Sequence, residues 1–335
     1  MIAVEEVLGR ARLYSAARQF DKAAEVLGSA LQSHPDEPTL LVAMSRVRLH
    51  LDDPVAAASS AHNALTLAPE HTDAMRVYAA ALERLGRRDD AMSVAYRAVC
   101  TDPQNHLTHF TYASVLLNAG YAPQALTAAA EAVRLQPGDA ENHFLAGRVL
   151  AKLNRLHESS VAYEETLRLD PQHADAAHNI AVNRLNRGHW SRALQGLLGA
   201  ARMDPALGDH VRRNIGVALI RPLRWTTPAA VVLCLAAVVC TARPEDVVPR
   251  VVAAVGAILV SALLVWITRL VPASARRSVV RTRPMLAARA GHGVGAVLIG
   301  AVAVTGLVPG FVLSASMLLV LAGVVLNVIG WLTGS

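Results

Sequence analysis

The residues best suited to chemistry in this chain are its 13 histidines and three cysteines, and their spacing decides what they can do. His106 and His109 are three apart, which on a helix puts both rings on one face. No carboxylate or thiol falls where it would complete a zinc set around them, so His109 is read as a packing residue and no metal is assigned. Cys100 comes late in a helical stretch with no base or cation placed to activate it, and Cys234 and Cys240 lie in an uncharged run. Neither a nucleophile nor a disulfide framework is read from them. The chain has no phosphate-cradling glycine loop, no Gly-x-Ser-x-Gly elbow and no kinase set. No enzyme and no cofactor are therefore expected.

The elements that carry these residues follow from a fixed period. Pro35, Pro69, Pro103, Pro137, Pro171 and Pro205 are 34 residues apart, each interrupting a run of good helix formers. Proline fixes φ, lacks an N–H and pushes the residue before it out of the helical region, so each one ends a helix. Numbering each unit so that this proline is its 32nd residue, the repeats start at Val4, Pro38, Thr72, His106, Ala140 and Ala174. Three columns are then small. The eighth place is Ala11, Ser45, Ala79, Ala113, Gly147 and Ala181. The twentieth is Ala23, Ala57, Ala91, Ala125, Ser159 and Ala193, and the twenty-seventh is Ala30, Ala64, Ala98, Ala132, Thr166 and Ala200. Small residues at fixed places let paired helices approach closely. Gly86, Gly120 and Gly188 close the first helix of their hairpins, and Asp21, Asp89 and Ser191 are expected to cap the second.

In this register the sequence resembles the tetratricopeptide repeat family over about Val4 to Leu207. The family's fourth-place aromatic is here Val7, Leu41, Met75, His109, His143 and Ala177. The resemblance implies an all-α superhelix of about six helical hairpins. Gly208 to Pro222 is read as a capping helix that then stops, with Val211, Ile215 and Leu219 on the last repeat. The resemblance also implies a concave groove lined by first-helix residues, here Arg12, Arg46, Arg76, Arg84, Phe110, Asn118, Phe144, Arg148, Lys152, His178 and Asn186. Arginines beside aromatic rings suit an extended peptide carrying carboxylates, while Glu5, Asp73, Glu141 and Asp175 stand close enough in register to neutralise them. The carboxylate clamp of chaperone-binding members is not matched.

Beyond Arg224 the composition changes. Up to that residue 24 Lys plus Arg balance 24 Asp plus Glu, whereas Trp225 to Ser335 carries eight Arg and two acids, so the formal charge of +6 resides there. A basic stripe on a folded face, as nucleic-acid binding wants, is not what this describes. Two uncharged runs of 18 residues and a final one of 46 residues predict four membrane spans, roughly 226–242, 250–270, 291–308 and 311–332, with Pro309-Gly310 in a tight turn. No intramembrane charge that would mark a proton or ion path is read from them. Gly291, Gly295, Gly300, Gly306 and Gly310 offer close-approach faces, and Ser261, Ser314, Ser316 and Asn327 can bridge helices or protomers.

Arginine placement sets the orientation. Arg221 and Arg224 precede the first span, and the loop with Arg276, Arg277, Arg281 and Arg283 would meet anionic headgroups, so the repeats are expected on the cytoplasmic side of the plasma membrane. The start "MIAVEEVLGR" lacks the basic n-region of an export signal. Two lysines against 30 arginines suggest a GC-rich bacterial gene. The expected function is a membrane-anchored scaffold that docks a partner protein or peptide. The alternative is a non-catalytic membrane subunit of a transporter or envelope-synthesis complex.

Overall fold

The computed structural model describes residues 4–204, 206, 208–242, 247–270, 284–305 and 309–333. Among them every regular element is helical. Two compact units divide the chain, Met1–Pro171 and Gln172–Ser335.

The first unit is five hairpins: α1 Val4–Ala16 with α2 Phe20–Ser33, α3 Pro38–His50 with α4 Pro54–Leu67, α5 Thr72–Arg84 with α6 Arg88–Thr101, α7 His106–Ala119 with α8 Ala122–Leu135, and α9 Ala140–Lys152 with α10 Leu156–Leu169. Each first helix begins at the residue the 34-residue register predicts, and each punctuating proline falls in the link to the next hairpin. The three small columns are buried throughout the five hairpins except at Ala30, which is half-buried. Where a column departs from alanine the extra atom is used. Ser45 Oγ donates to the Ala57 carbonyl and Ser159 Oγ to the Gly147 carbonyl, each at 2.8 Å across the same helix pair. Cores are shared by successive hairpins: Val7, Ala23, Leu27, Leu40 and Met44 form one cluster, and Ala113, Ala125, Leu145 and Val149 another. No hairpin closes its own apolar face, so stability comes from neighbour contacts.

The turn inside each hairpin has one geometry. Residues 18, 52, 86, 120, 154 and 188 all have positive φ, the glycines at 76–96° and Arg18, Asp52 and Asn154 at 57–59°. In each case the following N–H reaches back five residues, as in Gln19 to Tyr14, Arg87 to Leu82 and His189 to Arg184. This is the Schellman closure, which satisfies carbonyls a helix end leaves open. For a residue with a Cβ the left-handed conformation costs about 1–2 kcal/mol. Arg18→Gly should therefore raise the thermal midpoint, and Gly120→Ala should lower it although no atom lies within 4 Å of the added Cβ.

The expected caps at Asp21, Asp89 and Ser191 are not formed. These residues lie within the first turn of α2, α6 and α12, and the N-cap positions are Gln19, Arg87 and His189, whose side chains make no capping bond. Each hairpin turn ends two residues before the expected cap, so the carboxylates of Asp21 and Asp89 act on the helix dipole instead. Side-chain caps occur on the first helices, from Glu37, His71, Asn105, Asp139 and His173, and at Asp53 on α4.

The second unit contains the sixth hairpin, α11 Ala174–Asn186 with α12 Trp190–Met203, followed by α13 Gly208–Ala242, α14 Val247–Leu270, α15 Pro284–Thr305 and α16 Pro309–Thr333. The expected stop at Pro222 is absent, because α13 runs through it for 35 residues. A proline removes one helix bond, and α13 packs against α12, α14, α15 and α16, which hold it in place. Val211 and Ile215 are buried as the cap reading requires, but their core also contains Leu194, Leu197, Leu223 and Leu286. The sixth hairpin therefore shares a core with the apolar helices, and the division of the chain falls at Pro171 instead of after Leu207.

Among the described residues two helices, not four, contain a stretch long and apolar enough to cross a membrane: Met285–Ala303 and Val312–Ile329. The other two apolar stretches, Leu223–Val239 and Val251–Val265, are shorter than either. The first crossing stretch also begins before the predicted 291 and so brings Arg289 inside, where it is buried, as is His292 within the predicted span. His292 Nε2 donates to the Leu319 carbonyl of α16 at 2.8 Å. Pro309 opens α16, where a proline suits the first helical position, so Pro309-Gly310 is no tight turn. Close approach occurs at Gly300 against Leu233 and at Gly295 against Leu319, as expected, and also at Gly323 against Val231 and His292. Gly291 and Gly310 approach nothing. Of the bridging candidates Ser316 is buried, Asn327 is exposed, and Ser314 bonds within its own helix to the Gly310 carbonyl. Arg276, Arg277, Arg281, Arg283 and Gly306 lie outside the described residues.

Candidate functional site

The inner wall of the first unit is built by α1, α3, α5, α7 and α9, each first helix touching the next. Its polar side chains form rungs between neighbouring repeats. Arg76 Nε donates to Thr111 Oγ1 at 3.1 Å, Arg84 Nη1 to the Leu49 carbonyl at 2.7 Å, and Asn118 Nδ2 to Glu83 Oε1. All three pairs are 35 residues apart, so a place in one repeat meets the following place in the next. The Asn142 amide extends the wall by donating to His106 Nδ1 at 3.2 Å.

These bonds sort the candidate arginines. Arg76 is mostly buried, with 16% of its side chain exposed, and is paired to Asp73 at 2.5 Å. Burial pushes its guanidinium below the ordinary value, opposed by the Asp73 charge. Arg84 closes the end of α3, through the Leu49 carbonyl and Asp52 at 3.4 Å. Arg46 is half exposed and lies 3.3 Å from Asp73, and Arg12 is exposed. Both line a cavity of about 350 Å³ together with Val42, His50, His71 and Asp73. Asp73 is thus the neutralising acid that the register allowed, shared between Arg46 and Arg76. The His50 ring stacks on Phe20 with centroids 4.5 Å apart.

Further along, Phe110 and Phe144 are half-buried, Phe144 meets Tyr163 at 5.6 Å between centroids, Arg148 is half-buried and Lys152 is exposed. His178 and Asn186 belong to the second unit. There His178 is buried and accepts from the Asn214 amide at 3.1 Å, while Asn186 is exposed. Sequence reasoning missed Thr111, Glu83, His50 and His71 as wall residues. For Thr111 and Glu83 the signal was a hydrogen-bonding residue one place apart in register between neighbouring repeats.

The fourth-place histidines also gain a role. His109 Nε2 donates to the Pro103 carbonyl and His143 Nε2 to the Pro137 carbonyl, both at 2.9 Å, tying each first helix to the proline that precedes it. Val7, Leu41 and Met75 fill the same place by burial. His109→Ala should cost about 0.5–1.5 kcal/mol in urea unfolding.

Residues 8–61, 42–106 and 111–174 match the family model for the tetratricopeptide repeat. These segments are tetratricopeptide repeats. Many solved structures are similar to the chain, and two serve as examples. One is the thermophilic tetratricopeptide protein TTC0263 of Thermus thermophilus, at 21% identity over 55% of this chain and 100% of that one, with a TM-score of 0.52. The other is yeast Tom70, at 15% identity over 60% of this chain and 43% of that one, with a TM-score of 0.50. At these identities the likeness shows the fold. No curated protein matches the chain.

Proposed function

We propose that this protein is a docking platform held at the cytoplasmic face of the plasma membrane, whose repeats bind an extended, acidic segment of a partner protein along their inner wall. Tetratricopeptide repeats are a protein-interaction scaffold, and no enzymatic family is seen. The observation that carries the membrane part is the exposure of large apolar side chains on α13 to α16. Val232, Leu235, Ile258, Leu259, Leu298, Met317, Leu318 and Leu321 are all more than half exposed, while alanines and glycines fill the interior. Such a surface suits hydrocarbon, not water. The α15 and α16 helices cross the bilayer in this reading, with the shorter apolar stretches of α13 and α14 beside them. Arg224 and Arg269 stand at the inner side.

Arg12 and Arg46 are the cations a ligand carboxylate reaches, since Arg76 and Arg84 are committed to the wall. Titrating full-length protein in detergent with acidic extended peptides tests this. Arg12→Glu/Arg46→Glu should weaken binding at least tenfold and leave the thermal midpoint within a few degrees. Equal affinity in the variant would exclude the inner wall as the acidic-peptide site.

A second reading, a membrane subunit in which the helices matter most, is favoured by Arg289 and His292 inside a candidate crossing helix, where ionisable groups are costly. Residues 172–335 alone restoring a deletion strain would support it over docking.

A further inference from the structure

Between α13 and α14 lies an apolar groove of about 610 Å³, walled by Trp225, Pro228 and Val232 on one helix and Val252, Gly256 and Leu259 on the other. It exists because Pro228, Ala229 and Gly256 put little bulk where the helices face each other. Leu233 abuts Gly256, where an added Cβ would stand 3.4 Å from Leu233 Cδ1. The two helices run antiparallel: Leu233 abuts Gly256, while Leu223 and Leu263 share a core further along. Residues 223–225 and the end of α14 are therefore on one side. On that side Arg224 and Arg269 are exposed, and Trp225 is 72% exposed. No carboxylate stands on α14, and the single one on α13, Asp209, is 15 residues, about 22 Å, from Arg224. The groove thus has an apolar length and a cationic mouth marked by a tryptophan, the residue that settles at headgroup depth.

We propose that this groove binds one anionic phospholipid, its acyl chain against Val232, Val252 and Leu259 and its phosphate at Arg224 and Arg269. The proposal rests on the reading that these helices lie in a bilayer. Charge complementarity selects the headgroup: a phosphate flanked by two guanidinium groups forms charge-assisted hydrogen bonds, and a zwitterionic headgroup sets its own ammonium against the same arginines.

The test uses the full chain in lipid nanodiscs and reads tryptophan quenching by dibrominated phosphatidylglycerol against dibrominated phosphatidylcholine. The contribution of position 225 is taken by difference from Trp225→Phe. The wild type should be quenched by the anionic lipid at about tenfold lower mole fraction. Arg224→Gln/Arg269→Gln should abolish that preference while leaving quenching by phosphatidylcholine. Ala229→Phe, which fills the groove, should weaken quenching by both. Millimolar inorganic phosphate should not compete. Equal quenching by the two lipids in the wild type, a preference that survives the double glutamine variant, or full competition by inorganic phosphate would each overturn the proposal. A protein that stays monodisperse without detergent and ignores vesicles of both lipids refutes the membrane reading itself. Normal insertion without headgroup preference refutes the lipid site alone.

Discussion

A chain ending at Pro171 is expected to fold into a monomeric, helical protein with a cooperative urea transition, whereas one extended to Pro222 gains residues that do not settle. The core clusters of the five hairpins are drawn from residues within the first unit. The sixth hairpin is different, because Ala181, Leu194, Leu197, Val211 and Ile215 are covered by Leu223 and Leu286 and flanked by Leu263 and Ala290. Ending at Pro222 removes all four covering residues. At about 1.5–3 kcal/mol for each buried leucine, the loss from Leu223 and Leu286 alone is about 3–6 kcal/mol, a large fraction of the about 5–15 kcal/mol by which a domain is stable. Hydrogen exchange should show α11 and α12 protected in the full chain and unprotected in the 1–222 fragment, which should also self-associate. Equal protection in both would mean that the sixth repeat is independent of the apolar helices.

The second large effect is expected at the fifth hairpin. Tyr163 is 1% exposed and its ring occupies the space where an eighth-place alanine would put its methyl group, so a Cβ at Gly147 would lie 2.5 Å from the ring. Gly147→Ala should destabilise by about 1–3 kcal/mol through overpacking. Tyr163→Ala should cost about 3–5 kcal/mol through the cavity it leaves. The pair should be strongly non-additive: Gly147→Ala/Tyr163→Leu should recover most of the loss, because leucine is what the same place carries in the first and sixth repeats, as Leu27 and Leu197. Urea denaturation of the single and double variants checks this, and additive losses would contradict the steric account.

The repeat architecture was legible because it is written in residue size and in proline, which act over a few neighbouring positions. Six starts, three buried columns and the glycine turns at Gly86, Gly120 and Gly188 were all readable that way. The other three turns were not, since Arg18, Asp52 and Asn154 show a strained backbone without glycine to announce it. The N-caps of α2, α6 and α12 fall two residues before Asp21, Asp89 and Ser191, because the Schellman closure places each second helix directly after the positive-φ residue, whether that is Arg18, Gly86 or Gly188. The boundary at Pro171 depends on which apolar faces meet at a distance, which no local pattern carries. Charge alone marks Arg289 as the limit of the crossing helix, whereas the helix starts at Pro284 and buries that arginine. In the candidate groove the register names first-helix places but not the division of labour among them. Which arginines are free to meet a ligand depends on partners 27 to 35 residues away, such as Asp73 for Arg46 and Thr111 for Arg76.

The most direct measurement places a photo-crosslinking residue at position 46 on the inner wall, and in a second chain at Glu164, which points out from α10, with both produced in intact cells. A discrete crosslinked partner in the membrane fraction is expected from position 46 and none from position 164. Equal capture at both positions, or none at position 46, would contradict a docking role for the inner wall.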